Sequence, residues 1–217
     1  KVMSGLNAAF VDVGYEKDAF LHYLDLGPQY KSLARFVKGA MGKQHVGPLF
    51  QNLSFEKDID KRGKITDVLT TNQQVLVQVV KEPISTKGPR ISCEISLAGR
   101  FIILVPFNDK VSISQKITNR EERTRLKRLM MSIKPKNFGI IIRTVAENKK
   151  VAELDSDLRE LLNRWTKGFE MLKTSKPPIK ILGELNRTSA ILRDLLNADF
   201  NNIQINNRKL ADEVRDY

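Results

Sequence analysis

The apolar positions of the first hundred residues fall into short runs separated by polar turns. Ala8-Ala9-Phe10-Val11-Asp12-Val13 ends at Gly14, residues 15–18 are polar, and Ala19-Phe20-Leu21 resumes the apolar character. Two such runs joined by a Gly-led turn predict a β-hairpin. Antiparallel pairing would bring Phe10 and Phe20 onto one face. Either both rings are core, or they form a platform of the kind on which OB-type barrels stack unpaired bases. After Gly27-Pro28, residues 28–66 read as a long irregular connection with a helical turn around Tyr30–Val37. His45 within it has no partner at metal-ligand spacing. Residues 74–80, QVLVQVV, predict a strand, residues 85–90 a turn carrying Lys87 and Arg90, and residues 91–97 another strand. With Lys1-Val2-Met3 taken as the end of a strand that starts upstream, five short strands outline an OB barrel, and the chain reads as a piece of a longer protein.

The period then changes. Ala98-Gly99-Arg100 interrupts the apolar pattern before the run 101–106, and a glycine there marks a bend or a close approach to the backbone. Asn119 with Glu122 fits a capping box. Leu126, Leu129, Met130 and Ile133 recur at helical spacing, with Arg123, Arg125, Lys127 and Arg128 on the other face. Residues 139–142 predict a buried strand ending in Arg143-Thr144. A guanidinium fork beside a hydroxyl at a strand end suits a terminal phosphate, with a structural ion pair as the competing reading. A second helix follows from Val151 to Leu172, its apolar stripe including Leu154, Leu158, Leu161 and Trp165, with Glu153, Asp155 and Asp157 in its first turns. Lys176-Pro177-Pro178 marks a boundary. Beyond it, strands at 179–185 and 203–205 alternate with helical pieces. The whole is a mixed α+β chain.

Charge sharpens this outline. The 217 residues carry a formal net charge of +12, and residues 105–150 alone hold 12 Lys and Arg against 4 Asp and Glu. A surplus so localised favours an anionic partner, nucleic acid above all. The single Cys93 excludes an internal disulfide and a multi-cysteine zinc site within the chain. No apolar run reaches the ~18 residues of a membrane helix, and no signal peptide opens the chain, so a cytoplasmic protein is the default expectation. P-loop, GxSxG and HExxH motifs are absent, and the carboxylates fall in helix first turns and loops rather than in a metal-binding cluster. On its own residues the chain reads as a binding platform with no catalytic or metal site.

The stretches GLNAAFVDVGYEKDAFL (5–21), TKGPRISCEISLAGRFIILVPF (86–107) and GIIIRT (139–144), in that order, resemble the ribonuclease E/G family of bacterial endoribonucleases. The resemblance covers residues 1–175 most closely. It implies an OB domain over residues 1–98 that binds single-stranded RNA, with Phe10 and Phe20 stacking bases and Lys87 contacting the strand. It further implies an α/β sensor of the RNA 5′ monophosphate over residues 99–175. There Arg143 and Thr144 would hold the phosphate by side chain, and Gly99 and Ile103 by backbone; Ile103 stands where the family usually has valine. Residues 178–217 would be part of a ribonuclease-H-like domain. The resemblance places the magnesium-binding aspartates and the inter-subunit zinc cysteines outside this chain. The parent would be a magnesium-dependent, homo-oligomeric endoribonuclease, and the fragment would bind RNA without cutting it. Two other readings remain open: a non-catalytic OB module that binds RNA, and a basic scaffold for an acidic protein.

Overall fold

The computed structural model describes residues 1–42, 46–50, 53–183, 187–196 and 200–215, so His45 lies outside the described residues. The chain forms two compact units, Lys1–Ile181 and Leu182–Tyr217.

The expected hairpin is present. Strands β1 (Val2–Met3), β2 (Ala8–Val11), β3 (Ala19–His22), β4 (Gln78–Lys81) and β5 (Arg90–Ser92) form a sheet ordered β1-β2-β3-β5-β4. All neighbours are antiparallel except β3 and β5, which run parallel. The sheet is open, with β1 and β4 as its edges, so the expected closed barrel is not formed. Part of the reason lies in the run 74–80. Its first residues, Val75, Leu76 and Val77, pack against the core outside any ladder, and pairing starts only at Gln78. The expected strand 91–97 also divides. The Cys93 N–H leaves the sheet for the Asp25 carbonyl at 2.8 Å, and Leu97 opens a second sheet.

The described part of residues 28–66 holds more regular structure than its pattern suggests. Helix α1 (Tyr30–Met41) buries Tyr30, Leu33, Phe36, Val37 and Ala40, one stripe at helical spacing. Gly39 lies within the helix and Gly42 just after it, and these two glycines give the segment its loop-like composition. The remainder of the connection is pinned at single points. Asn7 Oδ1 accepts the Ile65 N–H at 2.7 Å, and the Ser32 hydroxyl accepts the Glu56 N–H at 2.9 Å.

The second sheet contains β6 (Leu97–Ala98), β7 (Ile102–Pro106), β8 (Val111–Ile113) and β9 (Phe138–Ile142), in the order β6-β7-β9-β8 with β8 parallel to β9. Helices α2 (Arg120–Ile133) and α3 (Val151–Thr174) are where the periodicity puts them. Asn119 caps α2 by accepting the Glu121 and Glu122 N–H groups, whereas the Glu122 carboxylate turns to Arg125 and the Asn148 N–H rather than back to the cap. The core is centred on Phe36. Its ring lies 5.3–5.9 Å from those of Phe50, Phe107, Trp165 and Phe169, and the Trp165 indole donates to the Pro48 carbonyl at 2.6 Å.

The second unit holds α4 (Arg187–Leu195) and α5 (Arg208–Arg215). The strands expected at 179–185 and 203–205 do not form among the described residues. An extended segment becomes a strand only where it pairs with another in a ladder, and the described residues of these two segments join neither sheet.

Candidate functional site

Phe10 and Phe20 stand directly opposite each other in the β2–β3 register, ring centroids 5.7 Å apart and planes at 65°. Both are half-buried, while Ala9, Ala19 and Leu21 beside them are buried. Alternation therefore sends the aliphatic side chains inward and the two rings to the outer face. The turn before β5 closes one side of a shallow cleft lined by Phe10, Phe20, Lys17, Thr86, Lys87 and Arg90. Three contacts set that approach. Lys17 Nζ donates to the Thr86 carbonyl at 2.8 Å, the Phe20 N–H to the Pro89 carbonyl at 2.9 Å, and Gly88 lies so close to the Asp18 carbonyl that a Cβ there would collide with it. The two cations of the turn differ in use. Arg90 is held in a two-pronged ion pair with Asp25, whereas Lys87 is exposed and meets no carboxylate among the described residues. The sequence-derived residues Phe10, Phe20 and Lys87 thus share one surface: two aromatic faces and an exposed cation.

The other expected residues gather at the end of β9. The Arg143 N–H donates to the Phe101 carbonyl at 2.8 Å, and its Nη1 to the Gly99 carbonyl at 2.7 Å. Thr144 Oγ1 shares a hydrogen bond of 2.8 Å with Ser114 Oγ. Ile103 pairs with Ala98 on one side and Ile141 on the other, and is half-buried. Gly99, Ile103, Arg143 and Thr144 are therefore neighbours, although they come from segments some forty residues apart. The Gly99 backbone is already engaged: its N–H donates to the Ile102 carbonyl at 2.9 Å and its carbonyl holds Arg143.

Three further residues of this cluster escaped the sequence reading. Ser114 follows β8 and supplies the hydroxyl against Thr144. Arg123, placed by the sequence on the face opposite the apolar stripe, donates from Nη1 to the Ser114 and Ile117 carbonyls at 2.8 and 2.9 Å. Asp157, read as an ordinary residue of a helix first turn, is buried and accepts the N–H groups of Arg100, Phe101 and Ile102 at 2.8–3.0 Å. No spacing in the sequence separates Asp157 from Asp155, whose partner is the exposed Arg159 at 2.7 Å.

Among the described residues no group of three or more His, Cys, Asp or Glu lies close enough together to hold a metal ion. Cys93 is buried, and burial pushes its thiol up to about 12, which keeps it protonated and unreactive at neutral pH. No described helix is long and apolar enough to cross a membrane.

A sequence profile of the Ribonuclease E/G family matches residues 96–217. Over 208 residues, 96% of the chain, the sequence is 34% identical to Ribonuclease G of Escherichia coli strain K12. It is 32% identical over its full length to Ribonuclease E of a Nostoc species, and 33% identical over 94% of its length to a Ribonuclease E/G-like protein of Pyropia yezoensis. The chain spans 39%, 28% and 35% of these three relatives, respectively.

Proposed function

The chain belongs to the ribonuclease E/G family, and from that premise we propose that it is the RNA-binding and 5′-monophosphate-sensing region of a single-strand-specific endoribonuclease of RNA processing and decay. The observation that carries this reading is the outward-facing pair Phe10 and Phe20 with Lys87 in the same cleft. Every base offers a π face, so two outward-facing, half-buried rings bind a single strand without reading its sequence, and an ammonium beside them takes the phosphates between the bases. Lys17 and Arg90 line the same cleft together with Asp18, so both stacking and charge contribute to the grip. The five strands and the exchange of β4 and β5 in their order are in keeping with an OB-type domain that remains open.

The Arg143 cluster completes the proposal. The Gly99 carbonyl fixes the guanidinium plane of Arg143, and Ser114 fixes the Thr144 hydroxyl. A charged planar donor and a hydroxyl, oriented before the ligand arrives, suit a terminal phosphate that carries more charge than an internal phosphodiester. Hydrolysis itself, with its magnesium and inter-subunit zinc, belongs in this proposal to other parts of a cytoplasmic, homo-oligomeric parent enzyme. The fragment then binds RNA and does not cleave it.

The test is the double variant Phe10→Ala/Phe20→Ala against an unstructured oligoribonucleotide. Loss of two stacked bases at ~1–3 kcal/mol each weakens binding by at least about thirtyfold. Unchanged affinity would remove the cleft from RNA binding and favour docking of an acidic protein on the basic surface.

A further inference from the structure

We infer that Asp157 is a positioning residue for the phosphate end of this site: its buried carboxylate fixes the turn from which Arg143 hangs. The inference rests on the end-sensing reading above. Asp157 lies in the second turn of α3, and its carboxylate accepts three successive backbone N–H groups. Arg100 donates to Oδ1 at 3.0 Å, and Phe101 and Ile102 donate to Oδ2 at 2.8 and 3.0 Å. Successive N–H groups that converge on one point form an anion-binding nest. Here the protein fills that nest with its own carboxylate.

The same turn carries two anchors of Arg143. Gly99 precedes the three donors, and its carbonyl accepts Arg143 Nη1 at 2.7 Å; Phe101, the middle donor, accepts the Arg143 N–H at 2.8 Å. A Cβ on Gly99 would lie 2.5 Å from Asp157 Oδ1, so the absence of a side chain at 99 is what lets the carboxylate come so close. Two consequences follow. The nest is closed to an RNA phosphate, because the N–H groups of Arg100, Phe101 and Ile102 are already taken by Asp157. The direction of the guanidinium fork depends on a carboxylate that itself never touches RNA. An acid at this place also sets a negative charge behind the turn, and the three N–H groups screen it.

The experiment compares two short single-stranded RNAs, identical except for a 5′ monophosphate or a 5′ hydroxyl, on the wild-type chain and on Asp157→Asn. The amide keeps the shape but turns an NH2 toward backbone N–H groups. The ratio of monophosphate to hydroxyl affinity falls by about tenfold, the loss expected when a charged hydrogen-bonding arrangement is disordered. Affinity for the hydroxyl RNA, which rests on the Phe10/Phe20 cleft, stays within about twofold, as for an independent site. An unchanged ratio in Asp157→Asn, or an equal loss for both RNAs, would overturn the inference, because a merely structural role moves the two together. Should Asp157→Asn fail to fold, Asp157→Glu, one methylene longer, provides the second variant. It displaces the turn and is expected to give the same split between the two RNAs, and an unchanged ratio overturns the inference equally. A wild-type chain with no monophosphate preference overturns the end-sensing reading, and this inference with it.

Discussion

Glu122 and Arg125 meet in a two-pronged ion pair one turn apart on α2, Nε to Oε2 at 2.6 Å and Nη2 to Oε1 at 2.7 Å. Oε1 also accepts the Asn148 N–H at 2.8 Å, and Arg125 Nη2 reaches the Lys149 carbonyl at 3.1 Å. The pair thereby staples α2 to the loop between Thr144 and α3.

Its pH dependence has a definite sign. The Arg125 guanidinium holds the Glu122 carboxyl below the usual carboxylate range against the opposing effect of burial, and the Asn148 N–H adds to the lowering. A group depressed in the folded state contributes stability above its unfolded pKa and loses that contribution as pH falls through the folded value. Glu122→Gln is therefore expected to destabilise the chain on the order of 1 kcal/mol at pH 7, a modest figure because Arg125 is partly exposed to solvent. The difference from wild type should shrink in denaturant melts as pH falls below the ordinary glutamate value of about 4.3 and through the lowered folded-state value. A difference that stays constant with pH would deny the pair its role.

Asn7 ties the long connection to the sheet. It sits at φ +47°, donates from Nδ2 to the Gly63 carbonyl at 3.1 Å and accepts the Ile65 N–H at 2.7 Å. Asn7→Ala removes both bonds and leaves an alanine in a left-handed conformation, at an expected cost of ~2–3 kcal/mol in urea denaturation. Asn7→Gly relieves the conformational part alone and should fall between the variant and wild type.

Lys87 should act through charge only. Single-stranded RNA binding weakens with salt by a slope of about 0.7 per phosphate neutralised, so Lys87→Ala is expected to lower the slope of log affinity against log salt by about 0.7. The loss should be the same for RNAs of different sequence. An unchanged slope would place Lys87 off the path of the strand.

The parts of this account that were legible in the sequence are those that depend on near neighbours. The hairpin, α2 and α3 follow from local period and capping, and Arg143-Thr144 stood out because a cation closes a buried strand. The outward direction of Phe10 and Phe20 was not legible, because alternation assigns two faces without saying which one is covered. Helix α1 was obscured by Gly39, whose composition signal outweighed a correct apolar stripe of Leu33, Phe36, Val37 and Ala40. The open edge of the first sheet depends on where Val75–Val77 find cover. Asp157 was invisible for a similar reason, since its partners lie 55–57 residues away in a turn whose own sequence shows only a glycine.

The most direct measurement is the binding of 5′-monophosphate and 5′-hydroxyl forms of one short single-stranded RNA, at fixed salt, to the wild-type chain and to Arg143→Ala. The expected result is a clear preference for the monophosphate in the wild type that vanishes in Arg143→Ala, with hydroxyl-RNA binding retained. Equal binding of both RNAs by the wild-type chain would contradict the account and leave a general single-strand RNA-binding surface in its place.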